Sequence, residues 1–152
     1  MSATTDTLKI YEVSIKVTPE ALWDAITTPE WTVKYGYGTT ATYDLRPGGS
    51  YRGVGVAGEG DFLVVEGEVL EVDPPHRLVQ TYHLVFDPSL NADPFTRVTW
   101  EIDDLGDGTC RLRVTHDVTG APATALSTSG GTPQFGGGWP MILDSLKALL
   151  EG

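Results

Sequence analysis

Three histidines, one cysteine, two close pairs of carboxylates and a spread of aromatic side chains are the residues of this 152-residue chain that could do chemistry. His116 lies in a stretch where Cys110, Leu112, Val114, His116 and Val118 alternate with Arg111, Arg113, Thr115 and Asp117, so a strand there points it to the inner face. In a cavity it could titrate near neutral pH or donate a proton, and Tyr82 is a second candidate donor. A lone histidine on an apolar face is more often a hydrogen-bonded core residue, and that reading outweighs catalysis. His83 is expected to point outward and His76 to sit in the turn after Pro74-Pro75. With no carboxylates at ligand spacing, the histidines predict no metal site. Gly-X-Ser-X-Gly is absent, and Cys110 opens a strand with Arg111 aimed the other way, so covalent catalysis is disfavoured. Asp103 and Asp104 fall in an expected turn, and Glu66 and Glu68 flank Gly67 on a solvated face, so both pairs read as structural. No catalytic motif is evident and no cofactor is expected.

The aromatic residues are more promising. Trp23, Trp31, Tyr35, Tyr37, Tyr82, Trp100 and Trp139 are scattered over segments that one fold can bring together, and ligand pockets are mostly apolar and aromatic with a few polar handles, here a tyrosine hydroxyl, Gln80 or His116. For any single one, plain core packing weighs slightly more than ligand contact. The segment WTVKYGYG at 31–38, with its two glycines, is the candidate for a movable mouth.

The elements that must position these residues follow from periodicity and punctuation. Residues 8–17 read as a first strand with Leu8, Ile10, Val13, Ile15 and Val17 apolar and a phase slip near Tyr11 and Glu12 that suggests a bulge. Thr18 and Pro19 start a short helix carrying Leu22 and Ile26, and Thr28 and Pro29 start a second one anchored by Trp31. Residues 39–45 alternate, and Arg46-Pro47-Gly48-Gly49 is hairpin chemistry. The glycine-rich run 53–60 lies between strand signals with no helix behind it, so it reads as a flexible hairpin loop or bulged edge, not a phosphate cradle. A long strand over 62–72, marked by Gly67 as a bulge or bend, precedes one over 77–86 with Leu78, Gln80, Tyr82, Leu84 and Phe86 inward. Residues 87–94 read as turn, 95–102 as strand, 103–108 as hairpin turn and 110–118 as strand. Residues 120–138 are small, polar and loop-like. The final GGWPMILDSLKALLEG is an amphipathic helix with Trp139, Ile142, Leu143, Leu146, Leu149 and Leu150 on one face, Pro140 in its first turn and Gly152 as a C-terminal cap. About seven strands, two short early helices and one long final helix predict an α+β domain in which a curved antiparallel sheet covers one helix.

Composition bounds the function. Hydrophobic residues at 40% and charged residues at 20% are ordinary for one soluble domain. A formal charge of −11 opposes nucleic acid and anionic membranes, and no run approaches a membrane-spanning length. The opening MSATTDTLKIYEV lacks a basic region followed by an apolar stretch, and the single Cys110 can form no internal disulfide, so a cytoplasmic location is expected.

Four collinear stretches, DLRPGGSYR, GEVLEVDPPHRLVQTY, RVTWEIDDLGDGTCRLRVTHDV and GGWPMILDSLKALLEG, resemble the SRPBCC superfamily of START-like (Bet v-like) domains, and within it the branch of the heat-shock-protein-90 ATPase activator homologue C-terminal domain. The resemblance implies a helix-grip fold with a cavity between sheet and helix, filling 1–152 as a single domain with an ordered core over about 8–151. It implies three roles: carrier of a small apolar or aromatic molecule, polyketide cyclase or dehydratase, and modulator of a chaperone ATPase. The first is the leading expectation, with Trp31, Tyr35, Tyr37, Tyr82, Trp100, His116, Trp139, Ile142, Leu143 and Leu146 as candidate ligand contacts. A chaperone partner belongs to the third role, and the oligomeric state is left open.

Overall fold

The computed structural model of the protein describes residues 8–35, 39–56, 61–128 and 138–151. Along the chain run β1 (Leu8–Ile15), α1 (Pro19–Thr27), α2 (Pro29–Thr32), β2 (Thr40–Tyr43), β3 (Ser50–Val56), β4 (Asp61–Asp73), β5 (Arg77–Leu84), α3 (Pro88–Asn91), β6 (Thr96–Gly106), β7 (Thr109–Asp117), α4 (Pro122–Thr128) and α5 (Gly138–Glu151). The seven strands form one antiparallel sheet in the order β1-β7-β6-β5-β4-β3-β2. After β1 the chain crosses to the far edge by way of α1 and α2, then meanders back, hairpin by hairpin, until β7 pairs with β1. The helix then lies on the inner face of the curved sheet, which is the α+β helix-grip architecture. No helix among the described residues is long and apolar enough to cross a membrane.

Local chemistry explains the crossing. Thr18 caps α1 by accepting a hydrogen bond from the Ala21 N–H at 3.2 Å, Pro19 takes the first helical position, and the helix buries Leu22, Ala25 and Ile26. Pro29 likewise opens α2, but the Thr28 side chain makes no capping bond; it is Thr32 whose hydroxyl accepts from the Ala41 N–H at 2.9 Å and ties α2 to β2. Gly48, at φ +87°, supplies the left-handed residue that the turn into β3 needs.

Several expectations are corrected. The ladder between β1 and β7 runs unbroken from Leu8↔Asp117 to Ile15↔Cys110, so there is no bulge. Tyr11 and Val13 stand opposite Val114 and Leu112 on the inner face, while Leu8 and Ile10 alternate outward and are more than half exposed. The bulge expected at Gly67 lies further on, between Val69 and Glu71. Gly67 serves close approach instead, because a Cβ there would stand 2.0 Å from the Thr81 carbonyl oxygen. The register also shifts between Gly53 and Val54, as a bulged edge in the glycine-rich run would require, whereas residues 57–60 of that run lie outside the described residues. β6 continues through Asp103 and Asp104 to Gly106, and the turn contracts to Gly106-Asp107-Gly108, all at positive φ. Two stretches read as loop contain short helices. Asp87 caps α3, which drives Leu90 into the core, and α4 buries Thr124 and Thr128. Asp93 holds the two helices together by accepting from the Thr124 N–H at 2.7 Å and hydroxyl at 3.0 Å. Helices of four and seven residues carry too few residues for a periodicity to show.

Gly67→Ala would press a methyl group into the β5 backbone, and we expect a loss of about 1–3 kcal/mol in urea unfolding; an unchanged midpoint would contradict the close approach.

Candidate ligand-binding site

The final helix is anchored at both ends. Near its C-terminus the Lys147 ammonium donates to the Ser14 carbonyl at 2.6 Å, and Glu151 accepts from the Lys16 N–H at 2.9 Å, which fastens that end to β1. Leu143 and Leu146 fill the solid core there, beside Ile15, Leu112 and Val114. At the N-terminal end Trp139 is buried and meets Trp100 edge-on, ring centroids 5.3 Å apart.

His116 fixes that end. It is fully buried, and its Nδ1 accepts from the Trp139 indole N–H at 3.0 Å. Its Nε2 lies 2.7 Å from the Thr96 hydroxyl, whose proton goes to the Tyr82 carbonyl at 2.9 Å. The hydroxyl must therefore accept from Nε2–H, and the network assigns a neutral imidazole protonated on Nε2. Burial lowers its pKa to about 4, against a smaller upward pull from Asp117. The expectation of titration near neutrality is thereby corrected: with both ring nitrogens engaged and Trp139 in front of it, His116 positions the indole.

Between α5 and the β2-to-β6 part of the sheet lies a cavity of about 360 Å³. Its wall takes Ala41 and Tyr43 from β2, Tyr51 and Gly55 from β3, Val64 and Val65 from β4, Tyr82 and Leu84 from β5 and Trp100 from β6. Ile26, Thr32, Tyr35, Thr128, Gly138, Trp139 and Ile142 close it from the helical side, and Thr39, Phe62 and Phe86 complete it. None of these side chains is charged. Two clusters of core meet at the cavity, one running under α5 from Trp139 to Leu146 with Ile15, Leu112 and Val114 and one around Ala41, Val65, Leu84 and Leu90, with Tyr43 and Tyr82 packed against both.

The polar atoms of the wall are few. Tyr43 donates its hydroxyl to Gln80 Oε1 at 2.8 Å, and the Trp100 indole N–H donates to the same oxygen at 2.8 Å. Tyr35 donates to the Ala25 carbonyl at 2.9 Å. Burial pushes the phenols of Tyr35, Tyr43 and Tyr51 well above the usual tyrosine range, so all three are neutral hydroxyls. Tyr51 and Tyr82 stack at 6.2 Å, and Tyr82 meets the His116 ring edge-on at 5.3 Å.

Of the residues expected at a ligand site, Tyr35, Tyr82, Trp100, Trp139 and Ile142 lie on this wall. His116 sits behind it, and Leu143 and Leu146 are core. Trp31 is only half-buried, outside the cavity, with the Lys34 ammonium 4.8 Å from its ring centroid. Tyr37 lies outside the described residues. Tyr43 and Tyr51 went unremarked, although a signal existed: the hairpin at 46–49 pairs them directly across β2 and β3, with ring centroids 4.7 Å apart.

The other reactive residues are occupied elsewhere. His83 does alternate to the outer side but is not exposed: it is buried under Phe95, 4.4 Å between centroids, and contacts Glu66 at 3.2 Å and the Asn91 carbonyl at 3.0 Å, because the chain around α3 folds back over the end of β5. Asp103 pairs with Arg111 at 3.0 Å, and Asp104 accepts from the Gly106 N–H at 3.0 Å. Burial raises the Cys110 thiol, which donates to the Val17 carbonyl. Among the described residues no group of three or more His, Cys, Asp or Glu could hold a metal ion.

The depressed His116 pKa makes a pH prediction. The unfolded chain takes up this proton near its ordinary value of 6.5 and the folded protein only at about 4. The stability tied to this group is therefore whole above pH 6.5 and falls as the pH drops towards 4, by roughly 3 kcal/mol at most. Urea unfolding of His116→Gln, which retains a donor and an acceptor, should show a smaller loss between neutral and mildly acid pH than the wild type; equal losses would contradict a buried neutral imidazole.

Comparison with known proteins places this geometry. The sequence matches the family model described as "Activator of Hsp90 ATPase homolog 1-like protein" over residues 16–151. Among solved structures, a Rhodobacter sphaeroides protein superposes with a TM-score of 0.72 at 22% identity, covering 98% of this chain and 95% of its own. PFC0360w, an HSP90 activator from Plasmodium falciparum, gives 0.66 at 21% identity, with 95% and 96% covered. CalU16 from Micromonospora echinospora gives 0.66 at 21% identity, with 94% and 75% covered. No protein of curated function matches the sequence significantly. At such identities the structures show a shared fold, and it is the match over nearly the whole chain that assigns the lineage: the protein belongs to the activator of Hsp90 ATPase homolog 1-like family.

Proposed function

We propose that the protein holds a small, neutral, apolar or aromatic molecule in the cavity between α5 and the sheet, as a cytoplasmic binding protein. One observation carries this reading: a cavity of about 360 Å³ with an aromatic wall and, among the described residues, no charged lining. That volume falls within the roughly 300–1,000 Å³ of small-molecule sites, and a well-packed core leaves few voids larger than a water molecule. The absence of charge favours a neutral ligand, since an ion would lose its hydration without a partner. A cyclase or dehydratase reading gains little support, because His116 is neutral, fully engaged and behind the wall. Family membership supports a second role, modulation of a chaperone ATPase, which stimulation of such an ATPase by the purified chain would reveal.

Two tryptophans on the wall, Trp100 and Trp139, report occupancy. Isopropylnaphthalene, a neutral hydrocarbon, should quench them saturably. Ala41→Phe places a ring inside the cavity and should weaken that binding by about tenfold or more, or about 1.4 kcal/mol. Equal affinity in the two proteins, with folding intact by circular dichroism, would refute the cavity as the binding site.

A further inference from the structure

Among the described residues nearly every buried polar side-chain atom has a partner, and Gln80 is an instructive exception. The residue is 1% exposed, on the inner face of β5. Its amide orientation is settled by chemistry: the Trp100 indole N–H, which can only donate, meets the amide oxygen at 2.8 Å, and the Tyr43 hydroxyl donates to the same oxygen at 2.8 Å. The nitrogen, Nε2, is therefore held as a donor, and it has no hydrogen-bond acceptor among the described residues. Tyr51 lies close enough for the amide to favour its ionised form, yet no hydrogen bond of acceptable geometry joins them. A buried N–H left unpaired costs about 1–3 kcal/mol, and such a group in a native protein calls for an explanation.

Its position supplies one. Tyr43, Tyr51 and Trp100, the side chains around the amide, all line the cavity, so the unpaired donor stands directly behind the wall. Neither neighbouring hydroxyl oxygen meets Nε2 in acceptable geometry, since Tyr43 faces Oε1 and Tyr51 stands close to the amide without bonding it. Gln80 itself does not line the cavity, so the route runs through Tyr51, which does: a ligand acceptor that takes the Tyr51 hydroxyl proton lets that oxygen turn to Nε2 and accept from it. The uncharged wall disfavours carboxylate and phosphate as that acceptor, because no cation among the described residues lines the cavity to balance them.

We propose that Gln80, held in one orientation by Tyr43 and Trp100, is the specificity-determining residue of the cavity, and that it selects neutral flat ligands carrying a carbonyl oxygen over the corresponding hydrocarbons. The inference rests on the ligand-binding reading above and narrows it to a class: aromatic ketones, aldehydes and quinones. Discrimination of this kind is strong because the hydrocarbon leaves the buried donor unpaired.

The test compares acetylnaphthalene with isopropylnaphthalene, nearly equal in shape and differing in the carbonyl. Wild-type protein should bind the ketone about tenfold more tightly, and Gln80→Met should abolish that preference while still binding the hydrocarbon. A second readout needs no variant: the side-chain amide proton signals of Gln80 in a nitrogen-15-labelled sample should move downfield with the ketone and stay in place with the hydrocarbon. Hydrocarbon binding without a ketone preference, a preference that survives in Gln80→Met, or an unmoved amide signal would each overturn the selection by Gln80 and leave the cavity reading standing. Failure of both probes to bind would overturn the cavity reading and this proposal together.

Discussion

A single helix cannot cover the inner face of a seven-stranded sheet. At 1.5 Å per residue the 14 residues of α5 span about 21 Å, whereas seven strands spaced about 4.8 Å apart make a sheet roughly 29 Å wide. Wherever the helix is fastened, part of the apolar face is left to something else. In this protein it is fastened to β1, by Lys147 and Glu151, and the part left open falls over β2 to β6. The short helices α1 and α2 lean over that part from one side without filling it. The cavity is the geometric remainder of a short helix on a wide sheet.

The remainder has a defined shape because its helical wall is pinned by a buried polar chain. The Trp139 indole, His116, the Thr96 hydroxyl and the Tyr82 carbonyl form one directional series of hydrogen bonds linking α5, β7, β6 and β5. Each member is satisfied, which makes such a network stabilising instead of costly and fixes the indole in one place. A few ångströms away Gln80 shows the opposite condition, with its oxygen doubly satisfied and its nitrogen unpaired. Among the described residues few buried side-chain atoms are left unpaired, and this donor, behind the cavity wall, is one of them.

Much of the architecture was legible because it depends on local chemistry. Thr18-Pro19, Pro29, the Arg46-to-Gly49 turn and the stripe from Trp139 to Leu150 each carry a signal that needs no distant partner. What was misread depends on neighbours. Leu8 and Ile10 look like core residues in isolation, but pairing with β7 places Tyr11 and Val13 inward and turns them to solvent. The helices α3 and α4 are too short to show a period, and they exist because Leu90 and Thr124 find places in the fold. The site was half legible. Trp139, Trp100, Tyr82, Tyr35 and Ile142 stand out by type, whereas Tyr43 and Tyr51 acquire their role only as a cross-strand pair.

The amino-acid order by itself determined the class of the protein: an antiparallel sheet, two early helices, an amphipathic C-terminal helix and a balance of charge that disfavours nucleic acid. These follow from periodicity, capping and composition, which are properties of short segments and of sums. Only the tertiary structure decided which face of α5 seals and which face encloses. Leu143 and Leu146 share a stripe with Trp139 and Ile142, yet the first two close a solid core and the last two border a void. Helical spacing records that a residue is turned inward; what it meets there depends on the width and curvature of a sheet assembled from strands far apart in sequence.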